Sequence, residues 1–405
     1  MAFEKNFKPV LRFLVVSDIH YGSEADCVEK KRMAQALKTA YELSEKEDYS
    51  KLDALYVVGD FTKRGEEAQM LAFKQTLDDY LKEETEAVVS LASHEFMHDG
   101  EQSALERFGK IFNMEPDTHK VINGYHFISV TSTNGCHFDE AKQAWAAAEL
   151  KKAAADDPQR PIFFFQHPHI MGTVYGSANW GEDELTAILM NYPQVIDFSG
   201  HSHAPINDPR SIHQKHFTCL GTGTLSYFEL DEFDKVYGTI PPNDDKAAQM
   251  LIVEADAQNR VRIYPYDLIT SNFFPFTWKI DSAWDPQSFL YTDARYKTTE
   301  TPYFEPDAKI VISDIDADGF KVTFDQAKFD SDYVDDYNVI VKDSRGVIVR
   351  NSTVWSEYYF YDMPETISVS FNGLESGETY QVSVYANSFW KTSTEKPLLS
   401  EKVVL

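Results

Sequence analysis

Apolar runs alternate with amphipathic runs over the first half of the chain. Runs typical of buried β-strands lie at residues 11–17, 54–59, 86–92, 125–132, 162–166 and 194–200. Apolar positions recur at helical spacing over 26–46, 65–82 and 141–155. Because strands that alternate with helices form layered cores, this pattern predicts an α/β domain.

The pattern changes after about residue 214. Successive strand-like runs separated by turns continue to residue 270, which favours antiparallel additions to the sheet system. Residues 276–306 are aromatic and proline-containing without clear periodicity, and we interpret them as a connector packed along the first domain. Short alternating strands without a helical pattern fill 307–405, which predicts an all-β sandwich. The α/β domain is therefore expected to span 1–275.

The charge balance limits the classes of partner. The chain carries 65 acidic and 38 basic residues, a net charge of −27, which repels an extended nucleic acid or an anionic bilayer. A bound metal would allow an anionic small substrate by reversing the sign locally. No apolar stretch of about 18 residues occurs, so we expect no membrane insertion. Without a signal peptide, the sequence as it stands favours a cytoplasmic protein; an extracellular location stays open for a chain from which a leader was removed.

The cysteines indicate neither a disulfide framework nor a metal knuckle. Cys27, Cys136 and Cys219 are widely spaced and form no C-x-x-C pair. We interpret them as structural thiols.

Polar residues with metal chemistry follow five of the predicted strands. In chain order they are Asp18 and His20, then Asp60, then Ser93, His94 and Glu95, then His167 and His169, then His201 and His203. Sites in open α/β sheets gather beyond the carboxyl ends of strands, so side chains distant in sequence can converge there. Each short motif alone is more often a turn or a structural pair. Their occurrence at five strand ends in one chain predicts a functional site.

Aspartate and histidine together suit divalent or trivalent ions such as Mn, Fe, Zn or Mg. A carboxylate that can bridge, several imidazoles, and glycines that permit close backbone approach are typical of a two-metal centre. Such a centre activates a water molecule and clamps the attacking and leaving oxygens of a phosphoryl displacement. The sequence therefore predicts a phosphoesterase with two metal ions as cofactors and a phosphate ester as substrate.

The order of these motifs resembles the calcineurin-like metallophosphoesterase family, whose pattern is D-x-H, G-D, G-N-H-D/E, a single His, and G-H-x-H. The resemblance spans roughly residues 11–270. It implies a fold of four layers, in which two packed sheets are flanked by helices. It also implies one metal at Asp18, His20 and His203, a second at His167 and His201, Asp60 bridging both, and catalytic His94 contacting the phosphate or protonating the leaving group.

The chain departs from the family pattern at Ser93. Where the family has an asparagine whose side-chain oxygen binds the second metal, this chain reads Ala92-Ser93-His94-Glu95. A serine hydroxyl is about one bond shorter in reach, so we expect a weaker second site unless another group, such as His98 or the Ser93 backbone, supplies the ligand.

Two alternatives remain open from the sequence. One is a catalytically weak or inactive phosphoesterase-like protein that binds a phosphorylated ligand or a partner. The other is a zinc protease that uses HEFMH (94–98), which matches H-E-x-x-H. That motif requires a helix, whereas here it follows a strand and precedes the turn signal Asp99-Gly100, which favours coincidence.

Three further residues are candidates for substrate contact. Tyr175 and Trp180 follow the fourth motif and could stack on a planar group, and Arg64 could pair with a phosphate oxygen. A packed loop and a solvated turn are the structural explanations of these residues.

The segment 373–386 resembles the late strands of a fibronectin type III module. The residues that fall at the positions expected from this pattern are Leu374, Gly377, Tyr380, Val382, Val384 and Ala386. Such modules bind or position rather than catalyse, so the sandwich is expected to contact a protein or carbohydrate partner.

Overall fold

The computed structural model describes residues 2–24, 26–232 and 234–405. Its α-helices are α1 (Val28–Ser44), α2 (Glu67–Tyr80), α3 (Glu101–Phe112), α4 (Glu140–Asp156), α5 (Ser177–Trp180) and α6 (Thr186–Leu189). Its first strands are β1 (Pro9–Val16), β2 (Ala54–Val58), β3 (Glu86–Ser90), β4 (Thr118–Ile122), β5 (Tyr125–Ser129), β6 (Ile162–Phe165), β7 (His169–Ile170), β8 (Gly181–Glu182) and β9 (Val195–Ser199). They are followed by β10 (Ile212–Gln214), β11 (Thr218–Gly221), β12 (Gln249–Asp256), β13 (Val261–Asp267), β14 (Asn272–Phe273) and β15 (Trp278–Ile280).

The remaining strands are β16 (Ile310–Ser313), β17 (Phe320–Asp325), β18 (Val334–Lys342), β19 (Ile348–Trp355), β20 (Thr366–Phe371), β21 (Thr379–Ser388), β22 (Leu398–Leu399) and β23 (Val403–Val404). The chain divides into two compact units. The first comprises Met1–Asp231 and Asn243–Thr292, and the second comprises Glu232–Pro242 and Asp293–Leu405.

Two sheets form the centre of the first unit. One has the strand order β14-β13-β12-β1-β2-β3, with β15 also paired to β13, and the other has the order β10-β11-β9-β6-β5-β4. Strands β1, β2 and β3 are parallel, and so are β5, β6 and β9. Parallel neighbours end at one edge of their sheet, so the loops that follow them are brought together there.

The inner faces of the two sheets pack through aromatic rings. Phe13 of β1 lies with its ring centroid 5.1 Å from Phe127 and 4.8 Å from Phe163 of the other sheet. Tyr56 of β2 stacks on Phe165 of β6 at 4.0 Å. These rings bury large apolar surfaces between the sheets and fix the distance between the strand ends.

Helices cover the outer faces. Helices α1, α2 and α3 pack their apolar sides on the first sheet around Leu14 and Val16, and α4 and α6 pack on the second around Ile162 and Phe164. The unit therefore has four layers, helices, sheet, sheet and helices, as the family resemblance implies.

The second unit is an all-β sandwich. Its sheets have the orders β16-β17-β20 and β19-β18-β21-β22, with β23 also paired to β21. Phe324 of β17 and Tyr337 of β18 join the two sheets, with ring centroids 4.9 Å apart. The segment Glu232–Pro242 belongs to this unit because Lys235 forms a bridge to Thr353 of β19 and an ion pair with Asp336 of β18.

Within the described residues, each helix is too short or too polar to cross a bilayer.

Candidate metal centre

The motif residues of the first unit meet at the carboxyl ends of both sheets. Asp18 and His20 follow β1, Asp60 follows β2, His167 follows β6, and His201 and His203 follow β9. Asp18 and His167 are fully buried, and Asp60 is 1% exposed. The cluster therefore lies at the junction of the two sheets, as the positions of the motifs along the chain predict.

The backbone holds most of these residues in the left-handed conformation. Asp18, His20, Asp60, His201 and His203 have φ between 47° and 74°. Residues other than glycine rarely adopt this conformation, and each costs on the order of 1 kcal/mol or more unless the surrounding structure enforces it. The concentration of this strain in one cluster is typical of a functional site.

One group of side chains forms around Asp18. Its Oδ1 lies 3.4 Å from Nε2 of His203, and Nε2 of His203 lies 3.0 Å from Nε2 of His20. The three side chains offer one donor atom each within 4.8 Å of one another. They could hold one metal ion.

A second group forms around Asp60. Its Oδ2 lies 3.0 Å from Nε2 of His167, and donor atoms of Asp60, His167 and His201 lie within 4.8 Å of one another. Asp60 also belongs to a group of the same dimension with His20 and His94. Asp60 thus lies within 4.8 Å of donor atoms on both sides of the cluster. His201 belongs to the group around Asp60, and His203 belongs to the group around Asp18.

Hydrogen bonds fix which ring nitrogen faces the cluster. His167 Nδ1 donates to the carbonyl of Val58 at 2.7 Å, and His203 Nδ1 donates to the carbonyl of Tyr227 at 2.9 Å. In a neutral imidazole the other nitrogen, Nε2, then carries the lone pair. This arrangement is typical of histidines that bind metals. His167 Nε2 is buried and has no hydrogen-bond partner among the described residues, which fits a ligand position.

The charges of the cluster also fit a cation. Burial raises the pKa of Asp18, although the imidazoles of His203 and His167 oppose the change. Burial lowers the pKa of His167, but the carboxylates of Asp60 and Asp18 outweigh it and raise the value to about 9. In the described part of the chain, neither carboxylate has an ion pair with lysine or arginine. Buried carboxylates without such a partner are stabilised by a metal ion.

Glu95 links two of the loops that carry the cluster through hydrogen bonds. It is fully buried, and its carboxylate accepts hydrogen bonds from the backbone N–H groups of Asp60, Thr62 and Ala92 and from the Thr62 hydroxyl, at 2.7 to 3.0 Å. Burial and the charge of Asp60 raise its pKa to about 8. Glu95 therefore joins the loop after β2 to the loop after β3.

Two glycines allow close packing inside the cluster. A Cβ atom on Gly200 would lie 2.5 Å from Asp18 Oδ2, and one on Gly59 would lie 2.5 Å from His167 Nδ1. Both distances are shorter than atoms tolerate, so glycine is required at both positions. The left-handed residues after β9 are His201 and His203, and Gly200 provides space for the Asp18 carboxylate.

Ser93 and His94 lie beside Asp60. The Ser93 hydroxyl donates to Asp60 Oδ2 at 3.1 Å, and the His94 backbone N–H donates to Oδ1 at 2.9 Å. His94 Nε2 is 4.0 Å from Asp60 Oδ2, and its side chain is 26% exposed. His94 therefore combines contact with the cluster and access to solvent.

The candidate substrate residues have different surroundings. Trp180 packs edge-on against His201, with ring centroids 5.0 Å apart. The Tyr175 ring is covered by the guanidinium of Arg210 at 3.9 Å, and its hydroxyl accepts a hydrogen bond from the Asp231 N–H. Arg64 is exposed, and its guanidinium forms no ion pair with the cluster among the described residues. The structure therefore brings Trp180 to the cluster.

Two neighbours of the cluster could not be recognised in the sequence. Tyr227 lies with its ring centroid 4.2 Å from His203. Cys136 Sγ lies 3.9 Å from Nε2 of His201, although we interpreted this cysteine as structural. Both residues lie outside the family motifs, and no local pattern marked them.

Residues 11–205 match the model of the Calcineurin-like phosphoesterase family. The first unit has the metallophosphoesterase fold. The match supports the assignment of this domain to the phosphoester hydrolases. The motif residues of this metallophosphoesterase domain all lie inside the matched segment.

Solved structures give more distant similarities. A purple acid phosphatase from yellow lupin (Lupinus luteus) seeds shares 11% identity at a TM-score of 0.46, over 67% of this chain and 53% of that chain. The structure of PhoD shares 11% identity at a TM-score of 0.38, over 67% of this chain and 72% of that chain. An FN3 domain of human collagen XX shares 17% identity at a TM-score of 0.18, over 27% of this chain and 91% of that chain. The chain thus spans about half the length of the lupin phosphatase. No curated protein matches the sequence.

Proposed function

We propose that the metallophosphoesterase domain hydrolyses a phosphomonoester or phosphodiester at a dinuclear metal centre. One ion would be held by Asp18, His20 and His203, and the other by His167 and His201. The observation that carries this proposal is the position of Asp60, whose carboxylate lies within 4.8 Å of donor atoms of His20 on one side of the cluster and of His167 and His201 on the other. A single carboxylate that serves two ions is the usual basis of a two-metal site.

Asp and His donors accept Mn, Fe, Zn and Mg, so the donor set leaves the identity of the metals open. When bound, two such ions supply an activated water and neutralise the charge that develops on the phosphate oxygens.

The protein's own side chains orient the substrate and handle the proton. His94 is the group that protonates the leaving oxygen, because its side chain is 26% exposed to solvent and lies beside Asp60. Its Nδ1 donates to the carbonyl of Lys63 at 2.8 Å, which orients Nε2 toward the cluster. Trp180 forms a wall of the cleft by its contact with His201, whereas Tyr175 and Arg64 are weaker candidates.

The geometry argues against the protease alternative. Residues Ser93–Phe96 form a 3₁₀-helix, so His94 and His98 are not held one α-helical turn apart. Both carboxylate oxygens of Glu95 accept hydrogen bonds from loop groups and are not free to act as a base. His98 is exposed, and it belongs to none of the metal-ligand groups found among the described residues.

We also propose that the sandwich is a fibronectin type III-like module that contacts a protein or carbohydrate partner. The Tyr380 hydroxyl donates to the carbonyl of Glu375 at 3.2 Å and accepts from its N–H at 2.8 Å. A tyrosine that bonds to the backbone a few residues upstream closes a corner in sandwiches of this class.

The test of the proposed function is Asp60→Ala in the full chain. Metal content and hydrolysis of 4-nitrophenyl phosphate and bis(4-nitrophenyl) phosphate should both fall strongly, because a bridging ligand serves both ions. Casein cleavage should be absent in the unmodified protein. Asp78→Ala is the matched control, since Asp78 is an exposed partner of Lys74 on α2. Unchanged metal content and hydrolysis in Asp60→Ala would contradict the proposal, and an unmodified protein that binds metal without hydrolysis would favour the inactive binding protein.

A further inference from the structure

The loop that contains Cys136 packs directly on Ser93. Thr133 and His137 close this loop through two backbone hydrogen bonds of 2.6 and 3.1 Å. Gly135 between them has φ of 91°, and a Cβ atom there would lie 2.9 Å from the Ser93 backbone nitrogen. The loop therefore packs against the backbone of Ser93 and holds Cys136 beside the cluster.

Cys136 points from this loop to the His201 side of the cluster. Its Sγ lies 3.9 Å from His201 Nε2. In a tetrahedral site, a nitrogen ligand lies about 2.1 Å from the metal and a sulfur ligand about 2.3 Å from it, which puts the two donor atoms about 3.6 Å apart. The observed separation is only a few tenths of an ångström larger.

A donor is missing on this side of the cluster. The Ser93 hydroxyl is used in a hydrogen bond to Asp60. His167 is fully buried, and its Nε2 points into the group with no hydrogen-bond partner among the described residues. An ion there would have Asp60, His167 and His201 as ligands, without the side-chain oxygen that the asparagine of the family motif offers at the position of Ser93.

We propose that Cys136 supplies the missing ligand, as a thiolate, to the ion at His167 and His201. This inference rests on the proposed function, because it concerns one of its two metal sites. Cys136 Sγ lies outside the 4.8 Å group of Asp60, His167 and His201, so binding draws the side chain inward by a rotation about its Cα–Cβ bond. The thiol proton leaves to solvent as the sulfur–metal bond forms.

The consequence is a difference in preference between the two metal sites. A set of two imidazoles, a carboxylate and a thiolate favours Zn²⁺ or iron over Mg²⁺. The site of Asp18, His20 and His203 has only oxygen and nitrogen donors and accepts harder ions. The thiolate of Cys136 would thereby take the place of the asparagine oxygen that the family motif provides at the position of Ser93.

Titration of Co²⁺ into metal-stripped full-length protein tests this inference without an activity measurement. Unmodified protein and the control Cys27→Ser should develop a near-ultraviolet thiolate-to-cobalt charge-transfer band, and Cys136→Ser should lack it. Zn²⁺ affinity of one site should fall about tenfold or more in Cys136→Ser, because a direct ligand should matter no less than an outer-shell partner. Ser93→Asn in the Cys136→Ser background should recover affinity but not the band.

A measurement on unmodified protein makes the test independent of folding of the variants. Zn²⁺ should protect Cys136, but not Cys27, from alkylation, as read by peptide mass spectrometry. Two bound ions and hydrolysis without a charge-transfer band, or a band that persists in Cys136→Ser, would overturn the role of Cys136 and leave the proposed function intact. Stripped protein that binds no metal would overturn both.

Discussion

Replacement of Glu95 by glutamine should loosen the cluster without changing its ligands. The carboxylate accepts four hydrogen bonds, two on each oxygen. Glutamine keeps one acceptor oxygen, so its NH₂ group must face one pair of donors. The less costly orientation puts NH₂ toward Thr62, whose hydroxyl can turn to accept, and leaves the Thr62 N–H facing a donor. One buried unpaired N–H costs about 1–3 kcal/mol, and the remaining bonds lose their charge assistance.

Removal of the negative charge offsets part of this loss, because burial and the charge of Asp60 raise the Glu95 pKa to about 8. We therefore expect the free energy of unfolding to fall by about 2 kcal/mol, measured by urea denaturation of the metal-free protein with an unchanged m value. Affinity for metal should also fall, because the loop after β2, which carries Asp60, loses its hydrogen bond at the Thr62 N–H. Glu106→Gln on the exposed side of α3 is the control and should stay within about 0.5 kcal/mol. Wild-type stability and metal affinity in Glu95→Gln would refute the role of Glu95 in joining the loops.

Three further predictions concern other parts of the chain. Gly200→Ala should lower metal affinity about tenfold, because the added Cβ would lie 2.5 Å from Asp18 Oδ2. Calorimetric titration measures this affinity. Gly221→Ala is the control and should bind metal as the unmodified protein does, because its added Cβ would have its nearest contact at 3.7 Å. Tyr380→Phe should reduce the stability of the sandwich by about 1 kcal/mol through loss of its two hydrogen bonds to Glu375; Tyr385→Phe is the control, and equal unfolding midpoints for both variants would contradict the assignment. A chain ending at Thr292, with 232–242 replaced by a Gly/Ser linker, should still hydrolyse small phosphoesters because every proposed ligand from the family motifs precedes residue 204; loss of activity in a folded truncation would mean that the second unit contributes to the site.

The sequence predicts the α/β domain well because its strands carry strong local signals. Runs such as LRFLVVS and ALYVVG are apolar on both faces, as expected for strands buried between helices and a second sheet, and they coincide with β1 and β2. Helix α3 lies outside the predicted helices, although its buried apolar residues recur at helical spacing. Strand β4 has half-buried and exposed residues only, so its pairing with β5, and not its own pattern, determines that it is a strand.

The convergence of the motif residues could be predicted because the carboxyl ends of parallel strands share an edge. The neighbours of the cluster could not. Cys136 and Tyr227 lie in loops whose positions depend on contacts with Ser93 and His203, which are distant in sequence. Glu95 was part of a recognised motif, but its four hydrogen bonds to two loops appear only once those loops are folded.

The left-handed backbone conformation at the cluster limits which amino acids can replace the proposed metal ligands. At Asp18, His20, Asp60, His201 and His203, a substitution must keep both a donor atom and a conformation that few residues tolerate. Ser93, Cys136 and His167 have negative φ values, so a substitution there must keep a donor atom but not a left-handed backbone. Changes of ligand that alter metal preference should therefore occur at Ser93, Cys136 and His167, where the chain already departs from the family motif at Ser93, while Asp18, His20 and His203 stay fixed.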